Sequence, residues 1–172
     1  MSVIEASPLP TQALIAKYAG AGAYTDCYAT ELPYAVSHAE YIEAFYTGSL
    51  FKLERLLLSV FLAKPSTDAQ ARQLAAGEIS NFSAWRVEAR TANQLLMCDL
   101  GGRTRSWLMV LPVSQPLSCT RLYFGSVVVP VINKSTGESR MGFPFRLLIG
   151  FHKLYSRALL AAARSRLMRA VY

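Results

Sequence analysis

The sequence predicts an α+β domain in which an antiparallel sheet curves around a long C-terminal helix. Three observations lead there. Four strand-like segments, about 84–91, 94–100, 103–112 and 119–130, follow one another through short links, which is how antiparallel neighbours are joined. A stretch from about Pro144 to Ala170 then repeats apolar residues at helical spacing. Ahead of the ribbon stand one further strand and two or three helices, and helices grouped apart from an antiparallel sheet define the class.

The chain has 172 residues, enough for one domain with a sizeable core. Residues 12–172 read as that single domain, and residues 1–11, with two prolines, as a lead-in arm. Ala13–Ala19 makes a short helical turn stopped by Gly20 and Gly22. Tyr24–Glu31 is a first strand ended by Pro33. Ser37 with Glu40 three residues on forms a capping box, in which each side chain satisfies a backbone N–H left free at the helix start. That helix runs about His38–Tyr46, with Tyr41, Ile42 and Phe45 on one face. A second is expected over Ser49–Leu62 and a third over Thr67–Ala76, the latter capped by Gly77.

Turn chemistry fixes the expected registers. Gly101-Gly102 reads as a two-residue hairpin loop, placing Leu100 opposite Arg103, Cys98 opposite Arg105 and Leu96 opposite Trp107. A turn at Ala92-Asn93 places Trp85 opposite Leu100, Arg86 opposite Asp99 and Val87 opposite Cys98. One face then collects Trp85, Val87, Ala89, Leu96, Cys98, Leu100, Trp107, Met109 and Leu111. The other collects Arg86, Glu88, Arg90, Asp99, Thr104 and Ser106, with Arg86 and Asp99 as an opposite-charge pair. An apolar and a polar face together imply a sheet covered on one side. The segment 119–130 is apolar on both faces in its second half, with Gly125 as a bend, and Asn133–Gly142 is a polar loop.

In the last helix Pro144 suits the first turn, where no N–H bond is lost. Phe145, Leu148, His152, Tyr155, Leu159, Ala162 and Ala163 form one stripe, and Arg146, Lys153, Arg157 and Arg164 another. The chain's net charge of +7 resides at this end: residues 140–172 hold seven cations and no acid, against 11 of each in residues 1–139. Cations at a helix C-terminus stabilise it through the macrodipole, so a solvated face accounts for the stripe. Attraction to an anionic membrane surface is the alternative. Nucleic acid fits less well, because no exposed aromatics alternate with the cations for base stacking.

Hydrophobic residues make up 52% and charged ones 17%, so either the core is large or apolar surface lines a cavity or a dimer contact. No apolar run reaches the ~18 residues that cross a bilayer, and the first residues lack the pattern of a secretion signal. Three widely spaced cysteines, Cys27, Cys98 and Cys119, fit reduced thiols in a cytoplasm.

The order strand, helices, meander, long helix resembles the helix-grip fold shared by START-type lipid carriers and polyketide-cyclase-like proteins. Two segments are more specifically similar to a largely bacterial family, domain of unknown function 2867: Tyr24-Thr-Asp-Cys-Tyr-Ala-Thr-Glu-Leu-Pro33, and Phe143-Pro-Phe-Arg followed by Phe151-His152-Lys-Leu-Tyr155. Pro144-Phe145 stand further from His152 than in that family's closing pattern. The resemblance implies a cavity between sheet and terminal helix, and no catalytic residues.

Catalytic and metal signatures are sparse. The two histidines, His38 and His152, stand apart from each other and from any cysteine pair, so no zinc set is expected, and no cofactor. Gly20-Ala-Gly22 lacks the rest of a dinucleotide-binding pattern, and Ser49-Leu-Phe-Lys52 lacks the companion motifs of a serine acyl enzyme. The expected ligand site comprises Trp85, Arg105, Trp107, Met109, Tyr123, His152 and Tyr155. Arg105, on the apolar face, either reaches the rim and pairs with a carboxylate such as Glu31, or holds the polar end of a ligand. His152 and Tyr123 are either satisfied core groups or polar points of the pocket.

The leading reading is a non-catalytic carrier of a small apolar or amphipathic molecule. An enzyme of the cyclase or hydrolase kind requires His152, Tyr123 and Arg105 to converge on one void. An interaction module would use Leu122–Val129 as a homodimer edge, or the basic helix as a docking surface.

Overall fold

In the computed structural model, which describes residues 4–19, 22–53, 55, 65–113, 119–132, 139–140 and 143–170, seven strands form one antiparallel sheet. They are β1 (Glu5–Ala6), β2 (Tyr24–Leu32), β3 (Asn81–Phe82), β4 (Trp85–Arg90), β5 (Gln94–Asp99), β6 (Thr104–Val113) and β7 (Cys119–Val128). Their order is β1-β2-β7-β6-β5-β4-β3, so the meander β3–β7 returns to close on β2. The described helices include α1 (Ala16–Ala19), α2 (His38–Tyr46), α3 (Asp68–Ala76) and α4 (Phe143–Ala170). Helix α4 packs on β2, β7 and α2, which is the α+β, helix-grip arrangement the sequence predicts.

Local chemistry explains the boundaries. Ser37 Oγ accepts from the Glu40 N–H while Glu40 accepts from the Ser37 N–H, and α2 starts there. Thr67 and Gln70 do the same for α3, which Gly77 ends in the left-handed region at φ 82°. The helix expected over 49–62 is helical at 49–53 and 55; its other positions lie outside the described residues. Two strands of two residues, β1 and β3, carry too little pattern to read from sequence. Part of the expected polar loop 133–142 lies outside the described residues, but β8 (Val131–Ile132) and β9 (Ser139–Arg140) pair across it.

Two turn readings need correction. Cys98 does face Arg105 and Leu96 does face Trp107, but the loop between β5 and β6 is longer than two residues. Gly102 alone has positive φ there, its N–H bonds Asp99 O, and the Asp99 carboxylate accepts from Arg103 and Thr104 N–H. Between β4 and β5 a bulge lies at Glu88. Ala89 pairs with Leu96, as the Ala92-Asn93 turn requires, but Val87 pairs with Met97, Arg86 with Cys98 and Trp85 with Asp99. The expected Arg86–Asp99 pair is therefore not formed.

The bulge turns the first half of β4 over. Trp85 and Val87 pack with Leu95, Met97, Leu108, Val110, Leu122 and Phe124 under α2, α3 and α4. Leu96, Trp107, Met109, Tyr123 and Val127 pack on the opposite side with Ala13, Ile15, Cys27 and Ala29. The sheet is thus covered on both faces, not one: the segment leading into α1 forms the second cover. Gly125 on β7 permits that cover. A Cβ there would stand 2.7 Å from Ile15 Cδ1 and 2.9 Å from Trp107 Cε3. Strand β7 lies between β2 and β6, so the expected Leu122–Val129 dimer edge is a sheet centre.

Candidate functional site

Between the sheet and α4 lies a cavity of about 190 Å³. Its apolar walls come from Phe45 of α2, Phe51, Trp85 of β4, Phe124 of β7, and Tyr155 and Leu159 of α4. Its polar lining is Thr104, Arg105, Ser106, Ser126, His152 and Ser156.

That polar end is built by register. Asp26, Ser126 and Ser106 are directly paired across β2, β7 and β6, one polar row on an otherwise apolar face. His152 and Ser156 stand one turn apart on α4 above it. Asp26 Oδ1 accepts from Ser126 N at 3.0 Å and Ser126 Oγ at 2.6 Å. Ser126 Oγ lies 2.6 Å from His152 Nε2. Among the described residues, Asp26 Oδ2 accepts from Tyr24 OH and Ser156 Oγ at 3.4 Å each and lies 3.7 Å from His152 Nε2. The Asp26 side chain is 8% exposed. Burial, with the Asp26 charge next, pushes the neighbouring Cys27 thiol up to about 12 and the Tyr24 phenol well up, so both stay neutral.

Of the seven expected site residues, Trp85, His152 and Tyr155 meet at this cavity. Trp107, Met109 and Tyr123 belong to the other face, because the bulge breaks the alternation that would have put them beside Trp85. Trp107 Nε1 there donates to Gln94 Oε1 at 2.9 Å. Arg105 borders the cavity, yet its guanidinium is taken by the second cover. It bonds Glu88 at 3.1 Å, Tyr18 OH at 3.0 Å and Gly102 O at 2.5 Å, so its carboxylate is Glu88, not Glu31. Burial raises the Glu88 carboxyl, but hydrogen bonds from Lys17, Tyr18 and Arg105 outweigh this and bring it down to about 2.

His152, Tyr123 and Arg105 therefore do not converge, and the acid–base set an enzyme reading required is absent in that form. Sequence reasoning missed Asp26, Ser126, Ser106 and Ser156. The available signals were a lone acid in the first strand, a serine inside the apolar run 122–129, and a serine four residues after His152.

Among the described residues no three His, Cys, Asp or Glu side chains gather as a metal site, and no helix is long and apolar enough to cross a membrane. The three cysteines are free thiols. Comparison with known proteins finds no matching family model, no matching curated protein and no matching solved structure.

Proposed function

We propose that this protein binds a small amphipathic molecule in the cavity between sheet and α4, without transforming it. The observation that carries the reading is the cavity's two-ended lining: apolar walls from Phe45, Phe51, Phe124 and Leu159 close on a polar end of Ser126, His152 and Ser156. Such a lining suits a molecule with an apolar body and a few polar atoms. Size narrows the class. A cavity near 150 Å³ admits a benzene-sized body, so a single ring or short chain fits about 190 Å³ and a long fatty acid or fused polyketide does not.

The same proposal takes the chain as a divergent relative of the helix-grip carriers, similar to the domain of unknown function 2867 family. In support, Tyr24–Leu32 forms the strand that bears Asp26, and His152 and Tyr155 sit on the helix that closes the cavity.

Thermal-shift and calorimetric titration with single-ring alcohols, phenols and amines, against Leu159→Phe as a filled cavity, test the reading. Binding by the native chain that weakens at least about tenfold in the variant is the expected result. No binding by the native chain, or equal binding by a folded variant, overturns it.

A further inference from the structure

We infer that the outward face of α4 is a docking surface for an anionic lipid bilayer, a partner separate from the molecule in the cavity. The same turns of this helix have two sides. His152, Tyr155 and Ser156 line the cavity. Phe151 and Leu154, three residues apart and so neighbours on the helix surface, are 64% and 67% exposed. Among the described residues they are the most exposed large apolar side chains.

Cations run alongside them. Lys153 and Arg157 stand four residues apart and are both exposed, and Arg164, Arg166 and Arg169 continue the series toward the C-terminus. Among the described residues none of these cations forms an ion pair. Arg157 donates to Ile4 O at 3.0 Å, a neutral acceptor that leaves its charge uncompensated. Residues 140–172 contain no acid. The acids of the adjoining strands do not offset the charge either: Glu5 and Glu31 both pair with Arg121, and Asp26 accepts from Ser126.

An interfacial helix offers a bilayer this combination. Apolar tips enter among the head groups while long cationic side chains meet lipid phosphates. Other occupants fit the face less well. A second copy would bring two sets of uncompensated cations together, and like charges facing across an interface oppose association. For nucleic acid, Phe151 is already stacked on Tyr155, with ring centroids 6.1 Å apart, and Leu154 presents no plane to a base.

Co-sedimentation of the full chain with phosphatidylcholine vesicles, with and without phosphatidylserine, tests the inference. Binding is expected only where phosphatidylserine is present. It should weaken at least about tenfold between about 0.1 M and about 1 M salt, as the screening length falls from about 10 to about 3 Å. Lys153→Gln and Arg157→Gln should each weaken it about fivefold, the worth of one cation near an anionic surface. Phe151→Ser combined with Leu154→Ser changes only exposed positions and should weaken it at least about tenfold. Equal binding without phosphatidylserine, no binding to either vesicle, or undiminished binding by the folded double variant overturns the inference. So does tighter binding to a DNA duplex at the same salt, or a dimer that the double variant abolishes. If the double variant does not fold, the two glutamine variants decide, and unchanged binding by both overturns it. The cavity reading stands under each of these outcomes.

Discussion

Gly125 is where the second cover approaches the sheet most closely, and its missing side chain is what admits Trp107 and Ile15. Gly125→Ala should destabilise the protein by about 1–3 kcal/mol as an overpacking change, read as a lower urea midpoint at unchanged slope. His38 carries a different liability. It is buried at 9% exposure, and burial together with the nearby Arg90 charge lowers it from 6.5 to about 4. The unfolded chain therefore takes up this proton first. Stability should be complete above pH 6.5, fall by up to about 3 kcal/mol as pH drops toward 4, and then level off for this group. His38→Gln should flatten that part of the curve in urea titrations at a series of pH values.

At the scale of elements, the sequence reading is most accurate where chemistry is local. Helix α2 has the predicted bounds because Ser37 and Glu40 act within one turn, and α3 starts one residue inside its expected bounds for the same reason. Thr67→Ala should cost about 1 kcal/mol, visible as a lower melting temperature. The bulge was not legible. Nothing in Trp85–Arg90 marks Glu88 as an extra residue until its carboxylate is seen anchoring Lys17, Tyr18 and Arg105 on the second face. Glu88→Gln should loosen α1 and cost about 1–3 kcal/mol, because Arg105 loses its ionic partner. Since the folded carboxyl titrates below the ordinary 4.5, that contribution should fade as pH falls from 4.5 toward 2.

For the whole molecule, the fold class, the meander and the closing helix were legible because apolar period and short links determine them. The site was legible only in part. Trp85, His152 and Tyr155 were found, but Asp26 and Ser126 meet across strands 100 residues apart in sequence, where no turn transmits the register. The two tryptophans now report on separate layers. Ligand entry should alter emission from Trp85 at the cavity and leave Trp107 silent, so Trp85→Phe should abolish the fluorescence response and Trp107→Phe should preserve it. A response lost in folded Trp107→Phe instead would place the guest on the wrong side of the sheet.

The irregularity in β4 works as a phase slip. Positions before Glu88 and positions after it are counted in different frames, and one residue decides which indole greets the guest. Paired without the slip, the same residues would set Arg86 opposite Asp99 where Trp85 now stands and Glu88 opposite Met97 where Val87 now stands, exchanging an apolar wall for charge without any substitution. The frame in which this strand pairs, more than the identity of any one of its residues, therefore decides whether that wall is apolar or charged.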